Sequence, residues 1–443
     1  MPRSLALWLL LPLLPLPAPA ADLLQTYRAA LANDPVYAAA RASRAAGEEN
    51  LPQGQAQLLP VVSATASTQY NDNEISFRGV APDSKRQGNS NAYNVTLTQP
   101  LFNWQNYQVY KEAEFKVAQA EATFGQATQD LIVRVAQAYF DVLASQDSLA
   151  FIQAQKTAIS EQLAQAKRNF EVGTATITDT HEAQARYDLA TSQEIAAQND
   201  LEIKQRILQQ IVGTFPDQLA PIRPSIELSP PKPNLMEEWA SAAENQSFPV
   251  RTQEAALEVA KREIERFRAG HLPTLNLVGN VGNNSQSFSA VGPTNIPSDS
   301  LNRNIGLQLA IPLYAGGSVN SLVRQAIANR DKARQDLENS RRTAALSARQ
   351  AYLGVTSGMA QVKALEAALI SSRSALDSNK LGYEVGVRIN IDVLNAQQQV
   401  FSTLRDLSRA RYDTIVNGLK LKAASGSLSE ADVEEVNRLL GTN

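Results

Sequence analysis

The sequence predicts an internally duplicated α+β membrane protein, with long α-helical coiled coils and four antiparallel transmembrane β-strands in each chain. Three observations lead there. None of the 21 prolines falls within residues 101–215 or 313–443, windows rich in Ala, Gln, Leu, Glu, Lys and Arg, the good helix formers. Segments of about ten residues alternate apolar and polar side chains with period two. The chain also matches itself 213 residues apart: Leu59-Pro60 with Leu272-Pro273, Gln137-Ala138-Tyr139 with Gln350-Ala351-Tyr352, Glu171-Val172-Gly173 with Glu384-Val385-Gly386, Asp179 with Asp392, and Ala183-Gln184 with Ala396-Gln397.

From the N-terminus, residues 1–20 read as a secretory signal peptide. Arg3 supplies the positive region, an apolar run from Leu5 to Leu16 follows, and Ala18-Pro19-Ala20 is the cleavage site. Pro12, Pro15 and Pro17 interrupt this stretch, which is too short to span a bilayer of about 30 Å. The first repeat, 21–213, then holds a helix over 22–58, strands at 59–70 and 91–100, a rod at 103–171, a break at Gly173 and a helix at 177–213. Residues 214–248 form a stiff Pro-rich linker and a short helix. The second repeat, 249–426, keeps the order: a helix at 249–270, strands at 273–283 and 303–312, a rod at 318–384, a break at Gly386 and a helix at 390–426. A last short helix within 427–443 opens on the capping box Ser429-Glu430-Ala431-Asp432.

The strands have one apolar and one polar face. Tyr93, Val95 and Leu97 alternate with Asn94, Thr96 and Thr98; Leu307, Leu309 and Ile311 alternate with Gln308 and Ala310. The polar faces carry Asn, Gln, Ser and Thr rather than charges, as a strand between lipid and a wet lumen would. The polar stretches 71–91 and 283–302 read as long outer loops, whereas the other strand ends run straight into helices. Four strands cannot close a barrel, and an open edge in lipid leaves N–H and C=O groups unpaired at several kcal/mol each. Copies of the chain must therefore share one barrel; this argument leaves two or three copies open.

In the rods, about 70 residues at 1.5 Å rise give ~100 Å of helix. Leu131, Val135, Ala138, Val142, Ser145, Leu149 and Ile152 follow a coiled-coil seam, which Ala348, Tyr352, Val355, Met359 and Val362 repeat. A secreted or surface coiled-coil stalk or adhesin would share the rods but has no need of strands beside each one.

Composition closes off most chemistry. With 41 Lys+Arg against 44 Asp+Glu, a net charge of −3 provides no basic face for nucleic acid. The absence of cysteine removes disulfides, thiolate metal sites and cysteine nucleophiles. His181 and His271 are the only histidines, too few for a His-rich metal site, and no phosphate-binding loop is present. No catalytic residue, cofactor or metal is expected, and the chain is not expected to be an enzyme.

Further segments carry a resemblance. They are Asn33-Asp34-Pro35, Gln99-Pro100-Leu101-Phe102, Phe170-Glu171-Val172-Gly173, Ile311-Pro312-Leu313-Tyr314-Ala315-Gly316-Gly317, and Gly382-Tyr383-Glu384-Val385-Gly386 ahead of Ile391-Asp392-Val393-Leu394-Asn395-Ala396-Gln397. Together with the repeat, they resemble the TolC family of outer-membrane efflux and type I secretion channels over essentially the whole mature chain. The resemblance implies a homotrimer whose twelve strands close one β-barrel, continued by an α-helical coiled-coil barrel that crosses the periplasm and is closed at its inner end. It implies a passive exit duct in a Gram-negative outer membrane, embedded in outer-membrane lipid. Its partners would be a periplasmic adaptor (membrane fusion) protein and an inner-membrane transporter of ABC or RND type. Without a lipid-bearing cysteine after the cleavage site, the chain points to the unlipidated, secretion-type branch; its cargo stays open.

By the same resemblance, Tyr383 and Arg388 correspond to positions that tether the second-repeat tip to its neighbour, and Thr178 and Asp179 to their acceptors. Asp392 corresponds to a carboxylate lining the constriction, and Asn395 stands where the family often has a second one. Bonds of about 1–3 kcal/mol suit links that hold at rest and break when a partner docks. Three Asp392 carboxylates around one axis would attract cations. Helix capping is the other reading, since Thr178, Asp179, Asn390 and Asp392 sit where helices restart and Asp179 with Glu182 has capping-box spacing. Arg388 is harder to assign to capping, because Ala175 occupies its place in the first repeat; His181 nearby reads as solvated.

Overall fold

The computed structural model describes residues 20–76, 78, 84–216, 218–223, 226, 228–287 and 296–441; the expected signal peptide, but for Ala20, lies outside the described residues. In chain order the elements are α1 (Leu23–Asn33), α2 (Pro35–Glu48), α3 (Asn50–Ala56), β1 (Val61–Ile75), β2 (Ser84–Phe102), α4 (Trp104–Glu171), α5 (Ile177–Val212), α6 (Met236–Gln246), α7 (Phe248–Arg268), β3 (Thr274–Gln286), β4 (Ser298–Ala310), α8 (Ser318–Glu384), α9 (Asn390–Ala424) and α10 (Glu430–Asn437). Among the described residues no helix is long and apolar enough to cross a membrane. The chain divides into two compact units that interleave the repeats. One comprises Met1–Ala42, Phe124–Val250 and Arg341–Asn443, the other Ser43–Thr123 and Arg251–Ser340. Each rod supplies residues to both.

The second of these units holds the strands, in one antiparallel sheet of order β1-β2-β3-β4. Register decides its faces, because residues directly opposite each other project to the same side. Val62 faces Leu97, Val95 faces Val281, and Leu277 and Leu275 face Leu307 and Leu309. These apolar residues share a side. Ser63 opposite Thr96, Asn280 opposite Asn304 and Asn276 opposite Gln308 make the other side polar. Ile305, Leu307 and Leu309 are all exposed in the single chain. β1 and β4 are the edges, and neither has a second strand partner among the described residues.

Three expectations about extents are corrected. The strands run well into the stretches read as outer loops, with β1 reaching Ile75, β2 beginning at Ser84, β3 reaching Gln286 and β4 beginning at Ser298. The ladder joins backbone groups, so a hairpin continues past its apolar band when polar side chains can pair across it. Gln87 does so, donating to Asp72 at 2.8 Å, as does Asn71, donating to Ser90 at 3.0 Å. β2 also runs on to Phe102, with a register shift between Pro100 and Phe102, since proline has no N–H for the ladder.

The helix expected over 22–58 is three helices. Asp34 ends α1 and caps α2, accepting from Val36 N–H at 3.3 Å and Tyr37 N–H at 3.1 Å, with Pro35 in the first helical position, where a missing N–H costs nothing. The same buried carboxylate accepts from Arg134 at 2.5 Å. Pro52 cannot donate to the Glu48 carbonyl, and the helix is interrupted between them.

In the other unit, α1, α4, α5, α9 and α10 share an apolar core that includes Leu23, Tyr27, Leu131, Val135, Tyr139, Phe140, Leu208, Tyr412, Val416 and Val433. Six of the seven residues of the first seam are buried, Leu149 being half-buried. Tyr139 donates to the Ala220 and Ala21 carbonyls at 2.8 and 3.1 Å, fastening the linker and the N-terminal segment to the rod.

Candidate functional site

The two rods end in the same turn. Gly173 has φ +77°, and the Thr174 and Ala175 N–H groups donate to the Asn169 carbonyl at 2.8 and 3.2 Å. Gly386 has φ +78°, and the Val387 and Arg388 N–H groups donate to the Gly382 carbonyl at 2.9 and 3.0 Å. This closure needs a residue in the left-handed region, which costs any L side chain about 1–2 kcal/mol.

The restarts differ. Thr176 caps α5: its N–H and hydroxyl both donate to Asp179 Oδ2, at 2.9 and 2.8 Å, and the Asp179 N–H donates back to its Oγ1 at 3.3 Å. The capping box is therefore Thr176–Asp179, one turn earlier than the Asp179–Glu182 spacing suggested, because the helix begins at Ile177. At the matching place Ile389 precedes α9 and provides no side-chain cap. Asp392, the counterpart of Asp179, instead pairs with Arg388 at 3.6 Å. Both are partly exposed, so this is a weak link.

Within one chain, no described hydrogen bond or ion pair joins Tyr383 or Arg388 to Thr178 or Asp179. Tyr383 accepts from Asn169 Nδ2 at 3.2 Å, tying the first turn to the second. Asn395 accepts from Arg186 at 2.9 Å, and Gln398 from the same guanidinium at 2.8 Å. Both Thr176 contacts go to Asp179 Oδ2; among the described residues nothing engages its Oδ1, which can accept from outside the chain. Sequence reasoning missed Asn169 and Arg186. The one signal was that their counterparts at the repeat spacing, Gly382 and Gln399, are of different type.

α5 is also bound to α4. Lys156 bonds Glu194 at 2.8 Å and lies 5.5 Å from the Tyr187 ring. That bond raises the Lys156 pKa and lowers that of Glu194. Among the described residues no cluster of acids and histidines could hold a metal ion.

An open sheet with an apolar and a polar side, together with duplicated coiled coils, is the fold of an outer-membrane channel protein, a passive conduit and not an enzyme. The chain belongs to the outer membrane efflux protein family, whose model matches it at residues 26–214 and again at 239–427, once on each half. It is 34% identical over 421 residues to the outer membrane protein TolC of Vibrio cholerae, covering 94% of this chain and 93% of that one. It is 33% identical over 424 residues to the alkaline protease secretion protein AprF of Pseudomonas aeruginosa, covering 94% and 87%. The Campylobacter jejuni CmeC outer membrane channel shares the fold, with a TM-score of 0.80 at 18% identity over 95% of this chain and 90% of that one. The protein is an exit duct of the efflux and type I secretion class, resident in the Gram-negative outer membrane and extending into the periplasm.

Proposed function

We propose that three copies of this chain, each with residues 1–20 removed on export, close one β-barrel and one helical barrel, gated at the rod ends. The observation that carries the assembly is the sheet: its apolar side calls for lipid, yet β1 and β4 leave two backbone edges that lipid cannot satisfy. The duct works with a periplasmic adaptor and an inner-membrane transporter of ABC or RND type, which supplies the energy. Similarity to a protein named for alkaline protease secretion favours protein cargo through the ABC-type, type I route. At the gate, Tyr383 and Arg388 tether α8 and α9 to the neighbour's Thr178 and Asp179, whose Oδ1 is the open acceptor. Asp392 and Asn395 line the constriction.

Single-channel recording of the full chain in planar bilayers tests this. A small resting conductance is expected, rising when Tyr383→Phe and Arg388→Ser remove the tethers. An unchanged conductance would end the tethering role, and the absence of any channel would end the duct reading.

A further inference from the structure

We infer that Arg186 is a specificity-determining latch: it clamps α5 onto α9 beside Asp392 and sets a positive charge there. The inference rests on the reading that the rod ends form the gate. The guanidinium uses two separate N–H groups on two amide oxygens, Nη2 on Asn395 at 2.9 Å and Nη1 on Gln398 at 2.8 Å. Those acceptors lie one turn apart on a single helix. A planar fork with fixed donor directions fits such a pair, whereas an ammonium, a point donor, does not. Both bonds are charge-assisted. Because the acceptors are neutral, the charge is not cancelled, and among the described residues no carboxylate forms an ion pair with it.

The latch has a fixed base. On α5, Arg186 lies about one turn from Ala183 and from Ala190, which are buried with Ile159, Leu163 and Ala166 of α4 in a cluster that also takes Leu394 of α9. Gln153 and Lys156 hold Glu194 further along the same α4–α5 seam. Sliding α9 away from α5 therefore breaks the Arg186 bonds while α5 stays on α4. The charge matters as much as the grip. Asp392, three residues before Asn395, already faces Arg388, so Arg186 brings a second guanidinium to this stretch of α9. Glu182, one turn before Arg186 on α5, is the nearest carboxylate on its face of that helix and forms no described ion pair with it.

The arrangement is one-sided, and duplication did not create it. The counterparts of Arg186, Asn395 and Gln398 are Gln399, Glu182 and Ala185, which cannot reproduce it. General helix packing of the repeat does not require the clamp, so it belongs to this seam alone.

Recordings of the full chain under a salt gradient test both halves of the inference. Arg186→Gln is expected to raise the open-to-closed ratio about tenfold, the loss of two solvent-exposed charge-assisted bonds, and to move the reversal potential toward cation preference. Arg186→Lys should restore the reversal potential without restoring the ratio. Asn395→Ala with Gln398→Ala should raise the ratio as Arg186→Gln does, and all three together no further. The latch is overturned if Arg186→Gln gates and selects like the unaltered chain, or if its effect adds in full to that of the two alanines. Should Arg186→Gln fail to assemble, as judged by its heat-resistant oligomer on gels, Arg186→Lys and the alanine pair decide the matter alone. A channel opened by Arg388→Ser but indifferent to Arg186→Gln loses only the latch; no channel from the unaltered chain removes the gate reading beneath it.

Discussion

Single residues fasten the chain where its two ends and its linker meet. Lys422 of α9 donates to Asp432 at 2.7 Å and Glu435 at 2.9 Å, holding α10 beside a cavity of about 440 Å³ walled in part by Pro230, Trp239 and Gly418. Burial pushes the Asp432 carboxyl up, but the bond from Lys422 and those from Ser429 outweigh it, and the net shift is downward. A carboxylate depressed on folding adds stability above its unfolded pKa, and that stability drains away as pH falls through the folded value. The docking of α10 should therefore loosen only in acid, below the ordinary aspartate range. Hydrogen exchange of α10 and Trp239 emission should report it, and Asp432→Asn should flatten the response. The same scale explains why the proposed gate resists reading from spacing alone. Asp179 and Asp392 occupy equivalent positions, yet Thr176 engages one as a cap while Ile389 leaves the other to Arg388.

Elements were legible where one period persists. The rods and the four strands are visible as Pro-free windows and alternation, since a helix or a half-lipid sheet demands those patterns over many residues. Their ends were not. The hairpins overran their apolar bands because backbone pairing is indifferent to side-chain polarity, and the first helix broke at Pro35 and near Pro52, where a missing N–H decides locally. The two faces of β4 offer a sharp contrast. Leu307 faces Leu277 on the apolar side and Gln308 faces Asn276 on the polar side. Leu307→Arg should cost about 2–4 kcal/mol at mid-bilayer and deplete the assembled, heat-resistant oligomer, while Gln308→Arg leaves assembly intact. Equal loss from both would mean that the apolar side does not meet lipid.

At the scale of the whole molecule, the proposed barrel requires the edges of one sheet to meet those of another chain. Strands lie about 4.8 Å apart, so β1 and β4 of one sheet are about 14 Å apart, beyond the 4.4–6.8 Å Cα range of a disulfide. The chain has no cysteine of its own, so introduced ones report cleanly. Ser63→Cys on β1, combined in turn with Asn304→Cys, Gly306→Cys or Gln308→Cys on β4, should cross-link only between chains. Non-reducing gels should show species of one, two and three chains and none larger. A ladder ending at two, or no cross-link at any of the three positions, would exclude the threefold barrel.

By itself the sequence determined what repetition and solvent require: two matched halves, rods free of proline, strands with one apolar side, and a sheet too small to close alone. These are statistical properties of many residues facing the same environment, and composition records them. Only the tertiary structure decided which partner each polar side chain takes at the tips, where Asn169 meets Tyr383 and Arg186 spans Asn395 and Gln398. It also decided that the compact units cut across the repeats. Such pairings depend on how segments some two hundred residues apart are brought within about 3 Å, and local spacing holds no record of that distance.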